Sequence, residues 1–230
     1  MANTLCSLLH LLQLSDSALP VGGFSFSNTL ESAVACGVVS DAPSLEEYVR
    51  AALRVTSTTD CVAARVAYEA SLLGRLDMAL RADEELLLRK LNAEQRQMTL
   101  RMGRKLAELA EGVIGGELLV RWLAMIRSGE ASGTYAVTQG VVFAASGVGQ
   151  RELFASMLYG TASMMLNAAL RLMRLTHHST QQILYRLAES IDLLYEESAR
   201  LGIEDMYSFA PQIDLLSALH ERGRSRMFMN

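Results

Sequence analysis

The side chains through which this chain could bind a metal or run acid/base chemistry are few, and their spacing constrains them. His177-His178 is the only adjacent pair of imidazoles. Neighbouring helix positions face different ways, and no third ligand follows at i+3 or i+4, so the pair reads as a polar helix-helix turn rather than a metal site. Met227 and Met229 are soft thioethers of the kind transition metals accept, and apolar anchoring is the expected use. The acid groups Glu46-Glu47, Asp83-Glu84-Glu85 and Glu196-Glu197 are neighbours within helical patterns, not facing pairs, and are expected on solvated faces. Cys6, Cys36 and Cys61 form no CxxC and have the character of small buried apolar residues in a reducing compartment. Ser25 and Ser27 follow a glycine pair but do not make a nucleophile elbow. No P-loop, dinucleotide fingerprint or HExxH stands in the chain. With no catalytic constellation, metal site or cofactor motif, the expectation is a binding protein, not an enzyme.

Composition narrows the class. Half of the 230 residues are hydrophobic and 20% are charged, which supplies a core and excludes disorder. A formal net charge of -4 and a pI near 5.6 argue against nucleic acid as a partner. No apolar run approaches the roughly 20 residues that cross a bilayer. Asn3 and His10 interrupt any signal-like start, so a cytoplasmic protein without a membrane partner is expected.

The elements that must position functional groups are helices. Leu5, Leu8, Leu9 and Leu12 fall at i, i+3, i+4 and i+7, which predicts a helix over residues 4–14. A short helix around Leu30 and Val34 ends at Gly37. Ser44 and Glu47 read as a capping box opening a long helical pattern that runs to Leu73, before Gly74, with the β-branched cluster Val55-Thr56-Ser57-Thr58-Thr59 weakening its middle. Further helices are expected over residues 77–91, 94–112, 117–127, 134–146, 150–175, 179–201 and 213–221. The 134–146 stretch is apolar nearly all round and rich in small residues (Ala136, Gly140, Ala144, Ala145), as the centre of a bundle requires. The Met-rich 150–175 stretch suits core or a helix-helix interface. Residues 15–27 stand apart. Pro20 and Gly22-Gly23 prevent a regular helix, while Leu19, Val21, Phe24 and Phe26 make the loop too apolar for a linker. No strand alternation, repeat or linker divides the chain, so the expectation is one all-α domain over residues 1–230, a bundle of about eight to ten helices.

Four regions carry a resemblance. Leu19-Pro20-Val21-Gly22-Gly23-Phe24-Ser25-Phe26-Ser27 is followed by Leu30-Glu31. Ser44-Leu45-Glu46 opens the long helix. Ala168-Ala169-Leu170-Arg171-Leu172 precedes Gln181. The chain ends His220-Glu221, then Ser225-Arg226-Met227-Phe228-Met229-Asn230. In this order and spacing they resemble the urease accessory protein F family over nearly the whole chain. There are departures: Asn28-Thr29 stands where the family has Gln-Gly, Thr134 where it has histidine, Arg174-Leu175-Thr176-His177 for its Pro-Leu-Gly-Gln, and Asn230 for its final serine.

The resemblance implies a nickel-insertion chaperone without turnover of its own: an all-helical homodimer that joins a D/H-type accessory protein on apo-urease and recruits the nickel-carrying G-type GTPase. It assigns partner contact to the loop (Pro20, Gly22, Gly23, Phe24), to Glu31, and to His220, Glu221 and the docking tail over residues 222–230 (Arg226, Met227, Phe228). Arginines beside Met227 and Phe228 supply charge-assisted hydrogen bonds next to an apolar anchor, a common hot-spot pairing. The alternatives are a GTPase-activating protein with Arg226 as an arginine finger, or an all-helical enzyme holding a small ligand in the bundle.

Overall fold

The structure is a computed structural model that describes residues 5–221 and 227–229, apart from the side chain of Phe24. The described residues are all-α. Twelve α-helices and one 3-10 turn (Gly23–Ser25) replace the eight to ten helices expected: α1 Leu5–Ser15, α2 Leu30–Ala35, α3 Ala42–Thr58, α4 Asp60–Leu72, α5 Leu76–Leu88, α6 Ala93–Val113, α7 Glu117–Ser128, α8 Tyr135–Ser146, α9 Gln150–Leu172, α10 His177–Ala188, α11 Ile191–Ser198 and α12 Pro211–Glu221.

Part of the excess comes from the long helical pattern expected to run to Leu73, which divides at Thr59 within its β-branched cluster. The hydroxyls of Thr56 and Thr59 donate back to carbonyls of the preceding turn, Thr56 to Ala52 at 2.9 Å and Thr59 to Val55 at 2.7 Å. Such bonds compete with the helical ladder and bend it. At the break, Tyr207 N–H donates to the Thr58 carbonyl, and the Thr58 hydroxyl donates to the Tyr207 carbonyl at 2.7 Å. The start of α3 also differs from expectation. Asp41 is the cap, accepting from Ser44 N–H at 2.9 Å, and the Ser44 hydroxyl accepts from Asp41 N–H at 3.1 Å. Ser44 is therefore the reciprocal third residue of the box rather than its cap, with Pro43 in the first turn, where its missing N–H costs nothing. Residues 179–201 likewise form two helices, α10 and α11.

Helix α8 is central, as its composition predicts. Ala136 through Phe143 are buried without interruption. It lies between α4 and α6, with α5 against α4 and α7 against α6. A Cβ added at Gly140 would stand 2.2 Å from the Ala64 carbonyl oxygen of α4, so that crossing admits nothing larger than glycine. On the other side, α3 packs on α4, α9, α10 and α11, α1 lies along α9, and α2 touches both α9 and α12. One apolar cluster runs from Val21 to Phe228.

Three further expectations need correction. Helix α9 is long and apolar enough, by length and composition, to cross a membrane, although no such run was expected; more than half of its apolar window is buried within the fold, with Met157 and Met165 inside. Cys61 is buried, but Cys6 and Cys36 are exposed, one on α1 and one at the end of α2. Asp83 is not on a solvated face. It is fully buried, and its two oxygens accept from Gly133 N–H (2.8 Å), Thr134 N–H (2.8 Å) and the Thr134 hydroxyl (2.6 Å), anchoring the turn into α8. Three donors to one carboxylate are what make its burial tolerable.

Candidate functional site

The loop is built by its turn residues. Ala18 N–H donates to the Asp16 side chain at 2.8 Å and Leu19 N–H to the Asp16 carbonyl at 3.0 Å, turning the chain out of α1. Gly22 takes a left-handed conformation (φ 86°), after which the 3-10 turn closes with Phe26 N–H on the Gly23 carbonyl. Val21 and Phe26 are buried and Pro20 is exposed. Asn28 and Thr29 are then both left-handed, at φ 52° and 67°. A β-branched residue is strained at the second of these positions. Here the Thr29 hydroxyl bonds the Tyr48 hydroxyl at 2.6 Å inside the fold.

This strained corner launches α2, and with it Glu31. The Glu31 carboxylate accepts from Met227 N–H at 2.7 Å and Phe228 N–H at 3.1 Å. His220, on α12 and 4% exposed, lies between two carboxylates, with Nδ1 2.6 Å from Glu94 and Nε2 3.2 Å from Glu31. Ionised carboxylates only accept and a neutral imidazole has one N–H, so both contacts are satisfied only with a proton on each ring nitrogen or on one carboxyl group. Burial pushes the Glu31 pKa up, but the Met227 and Phe228 N–H groups and His220 outweigh it and hold the group below its ordinary 4.5. Glu221 accepts from Ala93 and Glu94 N–H (2.7 and 3.3 Å), tying α12 to the first turn of α6.

The tail meets the loop directly: Met229 N–H donates to the Ser25 carbonyl at 2.9 Å. Phe228 is 4% exposed, its ring under the Arg171 guanidinium at 4.4 Å, while Met227 stands 56% exposed. Of the residues expected to meet a partner, Glu31, His220, Glu221, Met227 and Phe228 are brought together with the Gly22–Ser25 turn. Arg226 and the Phe24 side chain lie outside the described residues. Glu94 was missed, lying in a helical pattern with nothing to mark it. Arg171 was visible within the Ala168–Leu172 motif, but no role could be read from it.

Beneath loop and tail lies a cleft of about 400 Å³ between the end of α1, α6, α8 and α9. Met98, Met102, Met157 and Met164 line it, and Phe228 is in its wall. The cleft's ionisable groups do not pair as nucleophile and base. Asp60 and Lys90 neutralise each other at 2.6 Å, and burial pushes the Tyr135 hydroxyl up to about 12. Among the described residues no group of three or more His, Cys, Asp or Glu is arranged to hold a metal ion. His177 and His178 stand exposed in the first turn of α10.

The profile of the UreF family matches residues 39–188. Urease accessory protein UreF 1 of Brucella melitensis is 46% identical over 227 residues, covering 99% of this chain and 94% of that protein. Urease accessory protein UreF of Photorhabdus laumondii is 44% identical over 223 residues, 97% of this chain and 98% of its own length. The UreF of Yersinia enterocolitica is 43% identical over the same length and coverage.

Proposed function

The chain belongs to the UreF family of urease accessory proteins, and we propose that it works as a non-catalytic adaptor in the insertion of nickel into apo-urease. In this reading it joins a D/H-type accessory protein on apo-urease and recruits the nickel-carrying G-type GTPase, whose GTP-linked release delivers the metal. The observation that supports this is the meeting of loop and tail at Glu31 and Ser25. Two segments far apart in the chain, both marked by the family resemblance as contact elements, form one surface. Glu31, His220 and Phe228 hold that surface from within, and Pro20, Met227 and Arg226 are assigned to the partner.

The adaptor is further proposed to be a cytoplasmic, single-domain homodimer. The stripe Leu5, Leu9 and Leu12 on α1 is exposed (82%, 65% and 58%) and offers an apolar face for a second copy. Light scattering at tens of micromolar should give twice the monomer mass of 25.2 kDa, and a monomer would remove the dimer.

Arg226→Ala tests the adaptor role. Losing a charge-assisted contact weakens partner binding by roughly 1–3 kcal/mol, and circular dichroism of the variant checks that its fold is unchanged. A pull-down with the D/H-type protein, beside a GTP turnover assay with the G-type GTPase, separates the outcomes. Weakened assembly supports docking. Intact assembly with GTP hydrolysis reduced by orders of magnitude would make Arg226 an arginine finger instead. No change in either removes Arg226 from the site.

A further inference from the structure

Helix α1 carries a cysteine and a histidine one turn apart that neither the core nor the loop and tail employ. Cys6 and His10 fall at i and i+4, so both side chains stand on one face. Their Sγ and Nε2 atoms are 3.7 Å apart, with Cys6 exposed and His10 half-buried. The other ring nitrogen of His10, Nδ1, is 3.3 Å from the carbonyl oxygen of Ser146, the last residue of α8. A carbonyl only accepts, so in the neutral ring the proton sits on Nδ1 and the Nε2 lone pair faces the thiol. A backbone carbonyl that fixes the tautomer in this way is the usual support of a metal-binding imidazole.

The separation fits one edge of a coordination tetrahedron. With bonds of about 2.3 Å to sulfur and 2.0–2.1 Å to nitrogen, a tetrahedral ion sets such ligands about 3.5–3.6 Å apart, close to the 3.7 Å observed. Thiolate with imidazole selects zinc-class ions over hard cations. Two ligands are half of a tetrahedral set, and among the described residues no third His, Cys, Asp or Glu completes it. A symmetric dimer supplies the missing half, because a two-fold axis presents each residue near it to its own copy. Cys6 is three positions from Leu9, so the pair borders the exposed stripe of Leu5, Leu9 and Leu12. Helix α1 contains no charged residue to repel a second α1. We propose that Cys6 and His10 of two copies of this chain together hold one Zn2+ in a Cys2His2 site across the α1 face. Each Cys6 thiol loses its proton to solvent as its sulfur bonds the ion, so two protons leave per metal. This site rests on the homodimer reading and adds an ion to that interface.

The test titrates the full-length chain, kept reduced with a phosphine, with Zn2+ in calorimetry beside light scattering. One zinc should bind per two protomers with release of two protons, and Co2+ in its place should show tetrahedral, thiolate-ligated spectra. Cys6→Ser and His10→Ala should each weaken binding at least 100-fold while helix content stays that of the wild type. Zinc should also shield Cys6 from alkylation, read by peptide mapping, but not Cys36, which is exposed as well. If either variant fails to fold, this shielding in the wild-type chain decides. Zinc binding unchanged in both variants, or one zinc per protomer without dimers, overturns the site. So does a dimer that Cys6→Ser abolishes and His10→Ala leaves intact, since that is a disulfide. A dimer in EDTA that takes up no added zinc removes the ion and leaves the homodimer standing, whereas a monomer with and without zinc removes both.

Discussion

Replacing Glu31 by glutamine isolates the contact on which the tail depends. The carboxylate takes two backbone N–H groups, from Met227 at 2.7 Å and Phe228 at 3.1 Å. Glutamine preserves the shape but retains one acceptor oxygen, and its NH2 group opposes the second N–H. One charge-assisted bond becomes a neutral one, a loss of about 1 kcal/mol, and the other, worth about 1.5–3 kcal/mol, disappears. The sum is about 2.5–4 kcal/mol. Burial of Phe228, worth roughly 1.5–3 kcal/mol, remains, but it must offset the ordering of three residues at roughly 1–2 kcal/mol each. At 1.4 kcal/mol per factor of ten, the open state of the tail should rise by roughly 60- to 700-fold. Hydrogen exchange read residue by residue measures this. The amides of Met227 and Phe228 should exchange faster by that factor, and Met229, whose N–H is on Ser25, should follow because the segment opens as a unit. Amides of α8 should not change. Wild-type exchange at Met227 and Phe228, with circular dichroism also unchanged, would refute the assignment of Glu31 as the clamp.

Other substitutions and conditions probe the same architecture. Because the folded-state pKa of Glu31 is depressed below 4.5, its contribution is fully present above that value and is lost as pH falls through the lower folded-state pKa; tail protection in exchange experiments should fade in that acid window and stay flat immediately above it. Asp83→Ala strands three buried donors and should lower stability by about 3 kcal/mol or more in urea titration, whereas a surface carboxylate would cost a few tenths. Thr29→Val keeps the left-handed strain and deprives Tyr48 of its partner, which should cost about 1–3 kcal/mol. Thr29→Gly relieves roughly 1–2 kcal/mol of strain while losing the same bond, so it should be the milder change in the same titration, and the reverse order would show that the strain is absent.

What the sequence made legible follows physical range. The all-α class, the central place of α8 and the non-helical Pro20–Gly23 corner are local properties, written in periodicity, small residues and backbone restrictions. The break at Thr59 was half visible in the threonine run, but the bonds that complete it come from Tyr207, far along the chain. Asp83 sat in an acidic triplet indistinguishable from a solvated face, because the donors that justify its burial lie about 50 residues away at Gly133 and Thr134. The union of loop and tail was illegible for the same reason: Glu31 and Met227 are separated by 196 positions, and no periodic pattern connects them. The family resemblance identified both segments without indicating that they touch.

Loop and tail together are proposed to form the surface that meets a urease maturation partner. The affinity of purified D/H-type accessory protein for the full chain, measured beside that for a chain ending at Glu221, tests it most directly. The shortened chain should keep its helix content and its oligomeric state, since α12 remains fastened through Glu221 to Ala93 and through His220 to Glu94. Its affinity for the partner should fall at least tenfold, a loss of about 1.4 kcal/mol or more. Full-chain affinity in the shortened protein would contradict the claim and place the partner surface elsewhere on the bundle.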